Sequence, residues 1–269
     1  MTIIFNAKTG EAYHLKVLSE LLSNNLKTGC FEINKDGFVL RMMDNNRKTL
    51  IDLNLSSENF SLYRFTAKNK LHIGLNLNHF HKMLKSIKKK DSIQLYIDEN
   101  EINDLAIKAI PKENTRVTTS YIKIQNIQNI DIDIPTGYGK PVIVLSSEFQ
   151  KMCKDMITIG SSIKVSFSEF QITFNCDSGG ILKRTVEFGE NDTSIDKQTD
   201  YTQEISTEQL TRITKIAGLS TNMQIFSAPN LPLLFRSNVG SLGKISIYIK
   251  SKEQIEKENF QGEVEYDSE

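Results

Sequence analysis

Four short amphipathic stretches of similar design recur along this chain of 269 residues, their starts 66, 69 and 61 residues apart. Self-similarity at a near-fixed period means construction from repeats, and no other feature narrows the possible folds as much. On a helical wheel based on Phe80, Met83, Leu84 and Ile87 fall on one side, and Lys82, Lys85 and Lys89 fall opposite. The stretch FQKMCKDM, from Phe149 to Met156, repeats the layout, with Phe149, Met152, Cys153 and Met156 against Lys151 and Lys154. LTRITKIA, from Leu210 to Ala217, puts Arg212 and Lys215 in the two basic slots. A fainter copy, HLKVLSEL from His14 to Leu21, keeps Lys16 and has Ser19 in the second slot.

Strand-like text follows each stretch, much of it alternating apolar and polar residues, with KDG and DNNR as turns. That alternation predicts antiparallel strands with one covered face. The unit is one helix plus several strands, used four times, and two units make a domain. The expected fold class is α+β, with two similar domains at residues 1–123 and 142–252. The segment IQNIQNIDIDIPTGYGKP (124–141) joins them, its Pro-Thr-Gly-Tyr-Gly-Lys-Pro close reading as irregular and surface-bound.

Formal neutrality (33 basic and 33 acidic residues) hides a segregation of charge. Residues 253–269 hold seven acidic groups and one lysine, so residues 1–252 hold 32 basic and 26 acidic ones, a net of +6. The acidic end reads as a solvated, flexible tail, and the basic body is open to a nucleic-acid partner. Cys30, Cys153 and Cys176 lie far apart in odd number, which argues against a disulfide frame and a zinc site. No secretion signal stands at the N-terminus and no apolar run approaches the ~18 residues of a membrane span. His79 and His81 diverge on a helix and make a poor metal pair. With no phosphate-binding loop, dinucleotide fingerprint or nucleophile–base constellation, neither an enzyme nor a cofactor is expected.

For one helix, a basic face is ordinary solvated surface. Cations in the same wheel positions of three helices, related by a pseudo-rotation, point to one side of the layer. A phosphate backbone is the natural counterpart, bound by counterion release without base reading. Four helices side by side, each roughly 10–12 Å across, enclose a circle only about 13–15 Å wide; twelve give roughly 38–46 Å, enough for a duplex. One chain therefore lines an arc, and a ring needs several.

At this point the residues resemble a known family. GFVLRMMDNNRKTLIDLNL (37–55), LYRFTAKNKLHIGLNLNHFHKMLKSI (62–87), SSEFQKMCKDMITIG (146–160), IDIP (132–135) and LPLLFRSNVGSLGKISIYIKSK (231–252) resemble segments of proliferating cell nuclear antigen (PCNA), the DNA sliding clamp family. The resemblance runs from about residue 10 to 252 and implies a homotrimeric, non-catalytic ring of the DNA-clamp fold, lined by twelve helices. Its implied partners are double-stranded DNA, copies of itself, DNA polymerase and other PIP-box proteins, and an ATP-dependent clamp loader. The implied location is the nucleus, or a cytoplasmic replication site if the source is a large DNA virus. Lys16, Lys82, Lys85, Lys151, Lys154 and Lys215 answer to DNA-facing positions, and the wheel pattern adds Arg212. The client-peptide pocket falls by position on Met43, Arg47, Leu50, Ile132, Ile134, Pro135, Pro232, Leu233 and Tyr248. Subunit contact is strand to strand in the family, which implies RVTTSYIKI (116–124) against GILKRTVEF (180–188) of a neighbour, through Val117, Thr119, Tyr121, Leu182, Arg184 and Val186. Periodicity alone leaves both as equally good internal strands.

The chain departs from the family at the client surface. Arg47-Lys48 replaces His-Val and Lys250-Ser251 replaces Ala-Pro, a more cationic surface that favours acidic or otherwise altered peptides. Glu169 stands where the family has a modified lysine. Two further readings stay open: one subunit of a heterotrimeric clamp, and a monomeric processivity factor.

Overall fold

The computed structural model describes residues 2–113, 116–128, 130–168, 171–189 and 201–266, with side chains in the last segment through 260. Glu169 lies outside the described residues. The first unit comprises β1 (Ile3–Thr9), α1 (Ala12–Asn25), β2 (Thr28–Ile33), β3 (Gly37–Met43), β4 (Thr49–Ser56) and β5 (Leu62–Phe65). The second comprises β6 (Leu71–Asn76), α2 (Leu77–Leu84), β7 (Ser92–Asp98), β8 (Asp104–Ile110) and β9 (Thr118–Lys123). The third comprises β10 (Val142–Leu145), α3 (Ser146–Met156), β11 (Ser162–Ser168), β12 (Gln171–Ser178) and β13 (Leu182–Gly189). The fourth comprises β14 (Tyr201–Ser206), α4 (Thr207–Arg212), β15 (Asn222–Phe226), β16 (Leu233–Val239) and β17 (Gly243–Ile249), and α5 (Lys252–Tyr266) follows. The order strand–helix–strands thus recurs four times.

Three antiparallel sheets result. One runs β5-β1-β7-β8-β9, one β13-β12-β11-β14, and the largest β10-β15-β16-β17-β4-β3-β2-β6. The pairing of β17 with β4, in register from Gly243↔Leu55 to Ile249↔Thr49, fuses the first and fourth units into that large sheet. Tyr138 and its neighbours between β9 and β10 form no strand; the start of that segment is tied down by a bridge from Gln125 to Gly74 in β6.

All four repeated helices turn their apolar sides into one core with the sheets. Phe149, Met152, Cys153 and Met156 of α3 are buried, as the wheel predicts, and burying a phenylalanine such as Phe149 stabilises by about 1.5–3 kcal/mol. α1 packs against α2 on one side and against the 3₁₀ segment Thr214–Gly218 on the other, while α3 packs on α4 and that same segment. The four form one contiguous row. Gly218 permits a close approach in it, because a Cβ there would lie 2.9 Å from a Val17 methyl.

The wheel overextends two helices. α2 stops at Leu84: the Ile87 N–H donates back to the Leu84 carbonyl, and the Asp91 carboxylate takes the Lys88 N–H. Lys85 and Lys89 therefore sit beyond the helix, and Met83, expected on the covered side, is exposed. The fourth stretch breaks at Ile213 (φ −97°, ψ 1°) into α4 and the 3₁₀ segment, yet keeps Leu210, Ile213 and Ile216 fully buried. Within the acidic tail, residues 252–266 form α5, whose start is capped by Gln254 and Ser251 and tied to β14 by the Lys252–Glu204 pair.

Candidate functional sites

With the apolar sides inward, the opposite sides of the helical row face outward from a single layer. Lys82, Lys85 and Lys154 are exposed there and make no ion pair among the described residues. The other expected cations already have partners. Lys151 pairs with Glu148 one turn before it, and Arg212 pairs with Glu208. Lys215 crosses to Glu20 of α1 at 2.7 Å. Lys16 donates to the Ile87 carbonyl at 2.9 Å, tying the turn after α2 to α1, and Ser19, one turn on, is buried against His81 of α2. Among the described residues, three of the seven expected cations are therefore free, three are ion-paired, and Lys16 keeps its charge while hydrogen-bonded to a carbonyl, a distinction that wheel positions alone do not carry.

The second site follows from strand register. On the large sheet, Met43, Leu50, Tyr248, Leu234 and Phe226 are successive cross-strand partners, forming one row over β3, β4, β17, β16 and β15. This row lies on the face away from the main core, since side chains alternate along each strand. Leu50, Tyr248, Leu234 and Phe226 make a separate small core, covered by Ile132, Ile134 and Tyr138 of the connecting segment. The covering is pinned by polar contacts: Arg41 donates to the Ile132 carbonyl, and the Tyr138 hydroxyl donates to the Pro232 carbonyl at 2.7 Å. Burial pushes the Tyr138 phenol well above its ordinary pKa, so it stays a donor.

Parity corrects one expected residue. Leu233 points to the other face and is fully buried in the main core, paired with Ile249; its neighbour Leu234 faces the connecting segment. Tyr138, Phe226 and Leu234 fall outside the expected set: Tyr138 lies in an irregular segment that carries no period, and Leu234 and Phe226 join the row only through cross-strand pairing. Counting alternation outward from Leu50 through its cross-strand partners would have found Leu234 and Phe226. Pro135 is half-buried on the segment itself.

Beside this row lies a groove of about 550 Å³, walled by Arg41, Met43, Arg47, Ile130, Ile132, Lys250 and Glu258. Arg47 is held at its rim in a left-handed turn (φ 54°) whose Asp44 carboxylate accepts the Lys48 and Thr49 N–H groups. Apolar floor and cationic rim suit a peptide with a few apolar anchors.

The expected contact strands are both sheet edges: β9 ends the five-stranded sheet and β13 ends the four-stranded one. Val117, Tyr121 and Leu182 are largely exposed on or beside them, Thr119 is exposed and Val186 half-buried. Arg184 already pairs with Asp155 of α3. Long edges with exposed apolar residues are open to strand addition. Among the described residues no cluster of metal ligands occurs, and no helix is long and apolar enough to cross a membrane.

A helical layer backed by antiparallel sheets, with four units in two domains, is the DNA-clamp fold. Known proteins agree. Residues 4–134 match the proliferating cell nuclear antigen N-terminal domain and residues 133–252 match the proliferating cell nuclear antigen C-terminal domain. The chain belongs to the proliferating cell nuclear antigen family of DNA sliding clamps. It is 24% identical over 255 residues to a probable DNA polymerase sliding clamp of Paramecium bursaria Chlorella virus 1, covering 92% of this chain and 96% of that one. It is 25% identical over 258 residues to proliferating cell nuclear antigen of Dictyostelium discoideum, covering 93% and 99%.

Proposed function

We propose that three copies of this chain close into a ring, β9 of each pairing with β13 of the next, and that the ring encircles duplex DNA. The observation that carries this reading is the contiguous helical row with Lys82, Lys85 and Lys154 free on its outward side. Three such rows supply twelve helices, which fit around a duplex, whereas the four of one chain do not. Contact is with phosphate and indifferent to sequence. The chain catalyses nothing itself; it tethers DNA polymerase and other clients, whose PIP-box-type peptides lay an aliphatic and two aromatic anchors against the apolar row and groove. An ATP-dependent loader opens the ring. The site of action is the nucleus, or a viral replication site in the cytoplasm.

Solution mass by light scattering tests the assembly. A homotrimer weighs about three times the 30.6 kDa of the chain. A species of a single chain mass, stable over the working concentration range, contradicts the ring and favours a monomeric factor or a heterotrimer subunit.

A further inference from the structure

The helix α5 brings an acidic side chain to the mouth of the groove. Glu258, two turns into it, pairs with Lys250 at 2.7 Å, and the Lys250 side chain is only 17% exposed. α5 is held in this pose from the other side, where Lys252 pairs with Glu204 and the Gln254 side chain donates to the Asn230 carbonyl. Of the other cations around the groove, Arg41 is engaged with Asp52 and the Ile132 carbonyl, and Arg47 has no ion pair among the described residues. Asp44, the groove's other carboxylate, is spent on the Lys48 and Thr49 N–H groups, so the mouth keeps two available cations, Arg47 and Lys250, and Lys250 is already taken by Glu258.

We infer that α5 is a tethered competitor for the peptide groove, with Glu258 in the place of a client's carboxylate, and that the favoured clients carry Asp or Glu beside their apolar anchors. This rests on the peptide-binding reading of the groove. Lys250 is largely withdrawn from water, and leaving such a charge unpaired is unfavourable. A client without a carboxylate that displaces α5 strands the ammonium; an acidic client pairs with it again. Attachment only eight residues away gives Glu258 an effective concentration on the order of millimolar, so it occupies Lys250 even though a half-exposed ion pair is weak. The helix accordingly tunes affinity and selects client charge instead of shutting the groove.

Two synthetic peptides test this, identical in one aliphatic and two aromatic anchors and differing only in flanking Asp/Glu against Asn/Gln. Their affinities are measured by calorimetry for the full chain, E258Q and K250S, with amide exchange of residues 252–260 followed on binding. The acidic peptide should bind the native chain about threefold more tightly than the neutral one, in line with a single partly exposed ion pair. E258Q should tighten both by a similar factor; K250S should narrow the difference between the two peptides; and exchange in α5 should rise when peptide binds. Equal affinities of the two peptides for the native chain and E258Q, or unchanged α5 exchange, overturn this inference and leave the groove reading standing. Absence of binding to all three proteins overturns the groove reading and this inference with it.

Discussion

Lysines of identical wheel position differ in what they can do. Lys154 and Lys82 are free, whereas Lys215 already neutralises Glu20. Each phosphate contact contributes about 0.9 to the slope of log affinity against log salt for duplex DNA. K82E and K154E should therefore each lower that slope by about one per chain in fluorescence titrations, and K215A by clearly less; equal effects would mean that the Glu20 pair breaks on binding. Leu233 and Leu234 offer a matched contrast one residue apart. L233A opens a cavity in the main core and should cost about 2–5 kcal/mol in denaturant unfolding. L234A, under the connecting segment, should weaken client-peptide binding at a smaller loss of stability.

At the scale of elements, close approaches and charged anchors fix where segments lie. A Cβ on Gly74 would stand 2.2 Å from the Gln125 carbonyl oxygen, so G74A must push the start of the connecting segment off β6. Amide exchange at residues 124–128 should rise in that variant while the sheets stay protected. α5 is anchored through Glu204, whose carboxyl is held below its ordinary 4.5 first by the hydrogen bond from Lys252, then by Ser162. A lowered carboxyl pKa stabilises above the unfolded value and stops doing so as pH falls through the folded one. Protection of α5, corrected for intrinsic exchange, should be level from pH 8 to about 5 and decline in stronger acid. The repeat, the helical apolar sides and the strand alternation were legible in the sequence because burial imposes period on it: Phe149, Met152 and Met156 could be placed from spacing alone. Three things were not legible. Local capping ended α2 at Leu84; pairing parity sent Leu233 inward; and long-range ion pairs, Glu20 with Lys215 and Glu204 with Lys252, neutralised one expected cation and tied the start of α5 to β14. None of these leaves a periodic trace.

For the whole molecule, the proposed ring makes the connection between protein and DNA a topological link rather than a tight complex. Such a link is held by closure, so its lifetime depends on whether the DNA has ends. The decisive measurement assembles the protein on a nicked circular duplex, at salt high enough to suppress simple ionic binding, and follows retention by gel filtration before and after one restriction cut. The account predicts co-elution with the circle and loss on linearisation. Equal retention on circle and linear DNA, or release from both, would contradict it.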